Sequence, residues 1–291
     1  MSRFRFLKTA VSLVLLAGSA VSLCGERILF VGNSFTFKPK RFGIARVESL
    51  NGRHNGGVPE LFSALAREAG HDPEVSMLAE GAATLAQHVA YWPKSAQRSW
   101  DVVILQEQSV GPMVLNGDEE PRRTFRESVA VLQQRVTAEN PEVQIWMFET
   151  WARPNMVMKG VVADLESMQA ELAASYRAVA HQFGLAGVVP VGEAFVATVE
   201  QGWADNPATE VEEGPLAMWD EHAYHQSAAG GYLAALLFVG RIYDLDPREI
   251  PADNRASRAV HLSDKEAAQL AEVAWQQLQQ HAGEAETLAT K

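Results

Sequence analysis

The regular alternation of short apolar runs with longer amphipathic segments constrains the fold of this chain more than any other feature. Five runs are rich in Val, Ile, Leu or Phe and show little polar alternation, which is typical of strands covered on both faces. They are RILFVG (27–32), PEVSML (73–78), DVVILQ (101–106), VQIWMF (143–148) and AGVVPV (186–191). The segments between them carry apolar residues at helical spacing. The sequence therefore predicts an α/β fold with a five-stranded parallel sheet and helices on both faces.

The pattern continues without a linker, so we predict a single domain over residues 27–283. The proline-rich patch at 247–255 joins two predicted helices and does not separate two cores. In parallel α/β sheets, ligands bind outside the carboxyl ends of the strands. The residues that follow the five runs are therefore the first candidates for a functional site.

The N-terminus has the parts of a secretory signal peptide. Three basic residues precede the apolar run AVSLVLLAGSAVSL, which is too short to span a bilayer, and small residues stand at Gly18 and Ala20. We predict a signal peptide over 1–20 and export to the periplasm or the exterior; the alternative is a buried first helix. Leu23 does not match the small residue that a lipid-anchor site needs, so no anchor is predicted at Cys24.

The charge balance narrows the classes of partner. The chain has a formal net charge of −11, and removal of residues 1–20 takes away three cations and no acid. This excess disfavours nucleic acid and anionic membrane surfaces as partners, and no stable membrane insertion is expected. A single cysteine excludes an intrachain disulfide and a cysteine-based zinc cluster. The oligomeric state is left open.

Polar residues follow four of the five runs where they are predicted to end. Gly-Asn-Ser ends the first run at Ser34, and the second continues through LAEGAATL to Gly81. The third ends in LQEQS, with Gln106 and Gln108, and the fourth in FETWARP. Because the carboxyl ends of parallel strands lie along one rim, these groups are expected to form one site.

A serine on that rim becomes a nucleophile when a histidine takes its proton and donors face the developing oxyanion. Of the eight histidines, His225 stands at a predicted loop-to-helix junction, just before Ser227, a candidate N-cap. The N–H groups of Ser34 and Gly81, and an amide from Gln106 or Gln108, are candidate oxyanion donors.

Four blocks in this order, ILFVGNSFTF, EGAATLAQH, DVVILQEQS and YHQSAAGGYLAAL, resemble the SGNH (GDSL-like) hydrolase superfamily. The nearest likeness is to its secreted bacterial branch, whose first block reads GNSFT, and it covers most of residues 27–243. The resemblance implies a flavodoxin-like three-layer αβα sandwich. It also implies hydrolysis of esters, often O-acyl groups on carbohydrates, without metal or cofactor.

Position by position, the resemblance implies Ser34 as the nucleophile, His225 as the base and Gly81 as an oxyanion-hole residue. The third block departs from the family, because Gln106-Glu107-Gln108 replaces the usual Asn after Gly. We favour Gln106 as the donor because it ends the run directly, with Gln108 as the alternative.

The acid of the triad is the second departure. The family places it three residues before the base, where this chain has His222. We favour Asp220 over Glu221 as the acid that orients the imidazole, and a Ser-His dyad without an acid is the remaining alternative.

Trp151 and Arg153, after the fourth run, are predicted to form a substrate wall, with Trp151 against a sugar face and Arg153 on a polar group. Core packing of the tryptophan is the alternative. No metal site is predicted, because His222 and His225 lack a third ligand in a zinc-binding pattern.

Two functional hypotheses follow. The first is an exported serine esterase that acts on small-molecule or glycan esters. The second is a glycan-binding protein that keeps the fold but has lost catalysis. Its motivation is His222 at the usual position of the acid, together with the altered third block.

Overall fold

The computed structural model describes residues 25–209 and 214–282. The predicted signal peptide over residues 1–20, Cys24 and the end of the predicted domain at residue 283 lie outside the described residues.

The described residues contain one sheet of six parallel strands in the order β2-β3-β1-β4-β5-β6. The strands are β1 (Arg27–Gly32), β2 (Glu48–Ser49), β3 (Glu74–Ala79), β4 (Val102–Leu105), β5 (Gln144–Phe148) and β6 (Gly187–Val189). The α/β fold with a parallel sheet is confirmed, but the prediction of five strands was wrong by one. The additional strand, β2, has two residues and pairs only with β3 at the edge, so it is too short to give an apolar pattern.

The central strand β1 is covered on both faces, as its continuous apolar run predicts. Ile28 and Phe30 pack into one hydrophobic core, and Leu29 and Val31 pack into the other; all four are 1 % exposed or less. Successive side chains of a strand point to opposite faces, so one run supplies both cores.

Helices form the outer layers of the sandwich. Those of ten residues or more are α2 (Val58–Glu68), α4 (Glu120–Glu139), α6 (Leu165–Phe183), α7 (Val191–Glu200), α8 (Ala228–Tyr243) and α10 (Asp264–Gln280). The shorter ones are α1 (Ser34–Phe37), α3 (Leu85–Ala90), α5 (Pro154–Met158) and α9 (Arg255–Ala259). The first core contains residues of α2, α7, α8 and α10, and the second contains residues of α3, α4 and α6. Within residues 25–209 and 214–282, no helix is long and apolar enough to cross a membrane.

The strand order creates a switch point at β1. The chain passes from β1 to β3 on one side and later returns to β4 on the other. A crevice forms at the carboxyl end of the sheet where connections diverge in this way, and it is the usual ligand site of doubly wound folds.

Candidate active site

Ser34 lies at this switch point, two residues beyond the end of β1. The register pairs Gly32 with Ala79 of β3 and Val31 with Leu105 of β4. The residues that follow β3 and β4 therefore flank the start of α1. This is the convergence of strand ends that the sequence predicted.

Gly32 leaves no room for a side chain at the end of β1. A Cβ atom there would lie 2.3 Å from Thr36 Oγ1 and 2.5 Å from Gln106 Oε1, well inside van der Waals contact. The carbonyl of Gly32 lies 2.8 Å from His88 Nε2. Burial lowers the pKa of His88, which favours a neutral ring that donates to this carbonyl.

Asn33 fixes the backbone on the N-terminal side of Ser34. Its Nδ2 donates to the carbonyl of Ala83 (2.9 Å), and its Oδ1 accepts from the N–H of Phe35 (3.0 Å) and caps α1. Its own N–H donates to Gln106 Oε1 (2.9 Å). Because both Asn33 and Gln106 are buried, this arrangement restricts Ser34 to a single position.

A short hairpin from Trp219 to Gln226 carries the candidate acid and base. Its end residues form an isolated antiparallel bridge, and the N–H of Asp220 donates to the carbonyl of His225 (2.8 Å). The turn is closed by Ala223, which adopts a left-handed conformation (φ 52°). Facing positions in this 219–226 hairpin bring two residues five apart in sequence into contact.

The carboxylate of Asp220 is held inside this hairpin. Its Oδ1 accepts from the N–H groups of His222 (3.2 Å), Tyr224 (3.1 Å) and His225 (3.2 Å), which leaves Oδ2 to face the imidazole. The side chains of Glu221 and His222 are 85 % and 77 % exposed. The hairpin therefore places Asp220, and not Glu221, beside His225.

Ser34, His225 and Asp220 form a continuous chain of polar contacts. His225 Nε2 lies 3.0 Å from Ser34 Oγ, and His225 Nδ1 lies 3.2 Å from Asp220 Oδ2. With the proton on Nδ1, the ring can accept the serine proton at Nε2 while the carboxylate stabilises the resulting cation. This geometry would allow Ser34 to act as a nucleophile.

Gln226 attaches the hairpin to the segment that carries Ser34. Its Nε2 donates to the carbonyls of Phe35 (2.8 Å), within the short helix α1, and of Lys38 (2.7 Å), which follows it. On its other side, the hydroxyl of Ser227 accepts from the N–H of Gly230 (3.0 Å), so the predicted N-cap of α8 is confirmed. The base is thus fixed between α1 and α8.

Two cations approach His225. Lys38 Nζ lies 3.2 Å from His225 Nδ1, and the guanidinium of Arg153 packs over the ring of Tyr224, 4.4 Å from its centroid. Burial lowers the pKa of His225, the charges of Lys38 and Arg153 lower it further, and Asp220 opposes them. The imidazole therefore stays neutral, as a base requires, to lower pH than a free histidine would.

Two of the predicted oxyanion donors are backbone groups. In the part of the chain that the structure describes, the N–H of Ser34 makes no hydrogen bond. Gly81 is exposed in the loop after β3, and its N–H lies 3.3 Å from Glu80 Oε1. The N–H of Ser34 is thus available to an oxyanion, whereas that of Gly81 would have to leave the carboxylate of Glu80.

The two glutamines differ sharply. Oε1 of Gln106 accepts from Asn33 N–H and from the Thr36 hydroxyl, and its Nε2 donates to the carbonyl of Glu107. Gln106 is therefore fully used inside the protein, which does not fit its predicted role as an oxyanion donor. Gln108 is half-buried, and its amide makes no hydrogen bond to the described residues, so it is the better placed of the two.

The prediction that Trp151 forms part of a substrate wall was wrong, and the role predicted for Arg153 stays a prediction. Trp151 is fully buried and stacks between Phe35 (4.2 Å) and Phe195 (5.0 Å), so it packs in the core and presents no face to a sugar. Its indole N–H donates to the carbonyl of Tyr224 (3.1 Å) and so links the core to the 219–226 hairpin. Arg153 is half-buried and lies on the Tyr224 ring beside the base.

Sequence reasoning did not identify Lys38, Gln226 or Glu107 as site residues. Lys38 directly follows α1, and its N–H donates to the carbonyl of Ser34 (3.0 Å), which keeps the two residues close. Glu107 is buried, and its Oε1 and Oε2 accept from the N–H groups of Gln108 (2.5 Å) and Leu85 (3.2 Å). No pattern in the sequence distinguishes such a carboxylate from an exposed one.

Among the described residues, no group of three or more His, Cys, Asp or Glu side chains is arranged to hold a metal ion. His222, which the sequence offered as a partner for His225 in a metal site, contacts Glu221 at 3.8 Å on the solvent side of the hairpin.

The fold has counterparts among solved structures. A protein of the DUF4886 family from Bacteroides uniformis superposes with a TM-score of 0.59 at 15% identity, over 88% of this chain and 95% of that one. A protein described as a GDSL-like lipase from Parabacteroides merdae gives 0.50 at 17% identity, over 74% and 94%. A variant of Axe2, an acetyl xylan esterase from Geobacillus stearothermophilus, gives 0.50 at 17% identity, over 75% and 94%.

At this level of identity the comparison shows the fold alone. No protein-family model and no curated protein matches the sequence.

Proposed function

We propose that the protein is an exported serine esterase that removes O-acyl groups, acetyl groups above all, from carbohydrates. The observation that carries this function is the chain of contacts from Ser34 Oγ through His225 to Asp220, at the switch point of the sheet. The fold shared with an acetyl xylan esterase and a GDSL-like lipase supports the reaction class.

In this mechanism His225 Nε2 takes the proton of Ser34 Oγ as the oxygen attacks the acyl carbon. The N–H groups of Ser34 and Gly81 and the amide of Gln108 stabilise the oxyanion of the tetrahedral intermediate. The alcohol leaves with the proton from Nε2, and a water molecule then repeats the sequence on the acyl-serine. Asp220 holds the imidazole in the required tautomer throughout.

The contact of Asp220 with His225 also bears on the binding-only alternative. That hypothesis rested on the histidine at 222, where the family has its acid. In the structure Asp220 Oδ2 lies 3.2 Å from His225 Nδ1, so a carboxylate is available where the sequence pattern lacked one. This favours the esterase.

Export forms part of the proposal through the N-terminal pattern over residues 1–20. The substrate would then meet the enzyme in the periplasm or outside the cell, where acylated glycans occur.

The test is hydrolysis of p-nitrophenyl acetate by the wild type and by Ser34→Ala, together with labelling by a fluorophosphonate probe. We expect Ser34→Ala to lower kcat/KM by about 10³-fold or more and to abolish labelling. Ser49→Ala, which alters a serine at the edge of the sheet, is the matched control and should keep both. Equal activity of Ser34→Ala and the wild type would exclude this function.

A further inference from the structure

The two cations beside His225 have no carboxylate partner. Within residues 25–209 and 214–282, no acidic side chain lies within 4.0 Å of the charged group of Lys38 or Arg153. Asp220, the carboxylate beside His225, is already occupied by three backbone N–H groups and by His225. What sets these two cations apart from the exposed ones is their place beside the partly buried ring of His225.

Arg153 is incompletely satisfied as it stands. Its guanidinium packs on the face of Tyr224, and its Nε is shielded from solvent without a hydrogen bond to any described residue. Burial lowers the pKa of Arg153, and its interaction with Tyr224 opposes this shift. A planar guanidinium in this state can bind a carboxylate with two parallel hydrogen bonds.

Lys38 conflicts with the triad in its present position. An ammonium group can only donate, so its contact with His225 Nδ1 requires a lone pair on that nitrogen. Asp220 Oδ2 requires a proton on the same nitrogen, and only that tautomer leaves Nε2 free to accept from Ser34. Catalysis therefore requires the ammonium group of Lys38 to leave His225 Nδ1 and bind another acceptor.

We propose, on the basis of the esterase function above, that Lys38 and Arg153 together bind a carboxylate group of the substrate. An anion at this position supplies the missing counter-charge of Arg153. It also draws Lys38 away from Nδ1, so that the proton on this nitrogen bonds to Asp220. The substrates are thus esters that carry a carboxylate, as an O-acylated uronic acid does.

Matched pairs of charged and neutral esters test this site kinetically. Acetoxybenzoate and acetoxybenzamide, both meta-substituted, place the carboxylate or its amide on the alcohol side; monobenzyl succinate and benzyl succinamate place it on the acyl side. We expect the wild type to prefer the carboxylate in one arm by about tenfold in kcat/KM, and to lose this preference in high salt.

Arg153→Gln and Lys38→Met should each reduce that charge preference severalfold, whereas Arg126→Gln and Lys159→Met, which remove exposed cations elsewhere, should keep it. The readout is the ratio of the two kcat/KM values, which a general loss of folded protein does not change. Equal kcat/KM values for charged and neutral esters in both arms would overturn the carboxylate site.

Binding to the Ser34→Ala variant separates this site from the esterase function. We expect D-galacturonate, but not D-galactose, to shift the ¹⁵N resonances of the His225 ring towards the tautomer with a proton on Nδ1. Galacturonate binding without hydrolysis of any ester would exclude the esterase and retain the site. Ester hydrolysis without a preference for charged esters, and without galacturonate binding, would exclude the carboxylate site and retain the esterase function.

Discussion

The two halves of the candidate site are held by different kinds of structure. Asn33, Thr36 and Gln106, which surround the serine, are 2 % exposed or less and bond to one another across neighbouring strands. In the 219–226 hairpin the side chains of His225 and Asp220 are 15 % and 19 % exposed, and those of Glu221 and His222 between them face solvent. The sheet fixes Ser34, the proposed nucleophile, whereas a local turn fixes Asp220 and His225, the proposed acid and base.

This difference explains why the acid can stand at an unusual position. A residue on β1 cannot move along the chain without disrupting both cores. In a hairpin, by contrast, any position that faces the histidine across the turn can supply the carboxylate. The spacing of acid and base is thus a property of the turn and not of the fold.

The largest expected effect comes from the acid itself. Asp220→Asn should lower kcat/KM for p-nitrophenyl acetate by about 10³-fold, because the amide can stabilise the wrong tautomer of His225. Glu221→Gln is the matched control, since its side chain lies in solvent, and should keep wild-type activity. Comparable losses in the two variants would mean that the hairpin does not select Asp220.

The next-largest expected effect is on the pH dependence of stability, and it comes from the buried carboxyl of Glu107 in the region around Ser34. Burial raises the pKa of Glu107 to about 7, so the folded protein keeps a proton that the unfolded chain releases near pH 4.5. The unfolded state therefore binds fewer protons over this range, and the free energy of unfolding should fall by about 3 kcal/mol as the pH rises through it. Urea unfolding at a series of pH values measures this slope.

Glu107→Gln should remove that part of the slope, and Glu142→Gln, an exposed substitution, should retain it. An identical pH dependence in the wild type and Glu107→Gln would show that the carboxyl at 107 ionises normally in the folded state.

The smallest expected effect is a difference in amide hydrogen exchange between the region around Ser34 and the 219–226 hairpin. The N–H of Asn33 donates to buried Gln106, and that of His225 donates to Asp220 in the hairpin. We expect the amide of Asn33 to exchange only on global unfolding and that of His225 to exchange about 100-fold faster through local opening. Hydrogen exchange followed by NMR measures both.

Gln226→Leu should accelerate exchange at His225 by about tenfold, because the hairpin loses its two bonds to α1, and should leave Asn33 unchanged. Gln201→Leu, at the exposed end of α7, should change neither. Equal exchange at both amides in the wild type would contradict the division into two regions.

The sequence predicted the sheet well because buried parallel strands leave continuous apolar runs, and only the two-residue strand β2 escaped this signal. It also brought Ser34, Gly81 and the glutamines to one rim, since parallel strands share a carboxyl edge. Predictions from the sequence were wrong where the role of a residue depends on the direction in which its side chain points. Trp151 and Gln106 follow strands as predicted, but their side chains turn into the protein.

Contacts between residues of different loops could not be predicted from the sequence, for a different reason. Lys38 and Gln226 lie 188 positions apart in the chain, and they meet through atoms whose approach no local pattern encodes. Asp220 was favoured over Glu221 without a reason in the turn geometry, and the left-handed residue Ala223 supplies that reason.

The separation of Ser34 and His225 by 191 residues has a consequence for folding. The acid–base pair closes within a single short turn of chain and can form early, but the nucleophile meets it only when β1 and α8 have docked onto the same sheet. Loop closure over such a distance is entropically costly and therefore late. A polypeptide that crosses a membrane unfolded would carry no active centre during transit, and would acquire it in the last long-range step of its assembly.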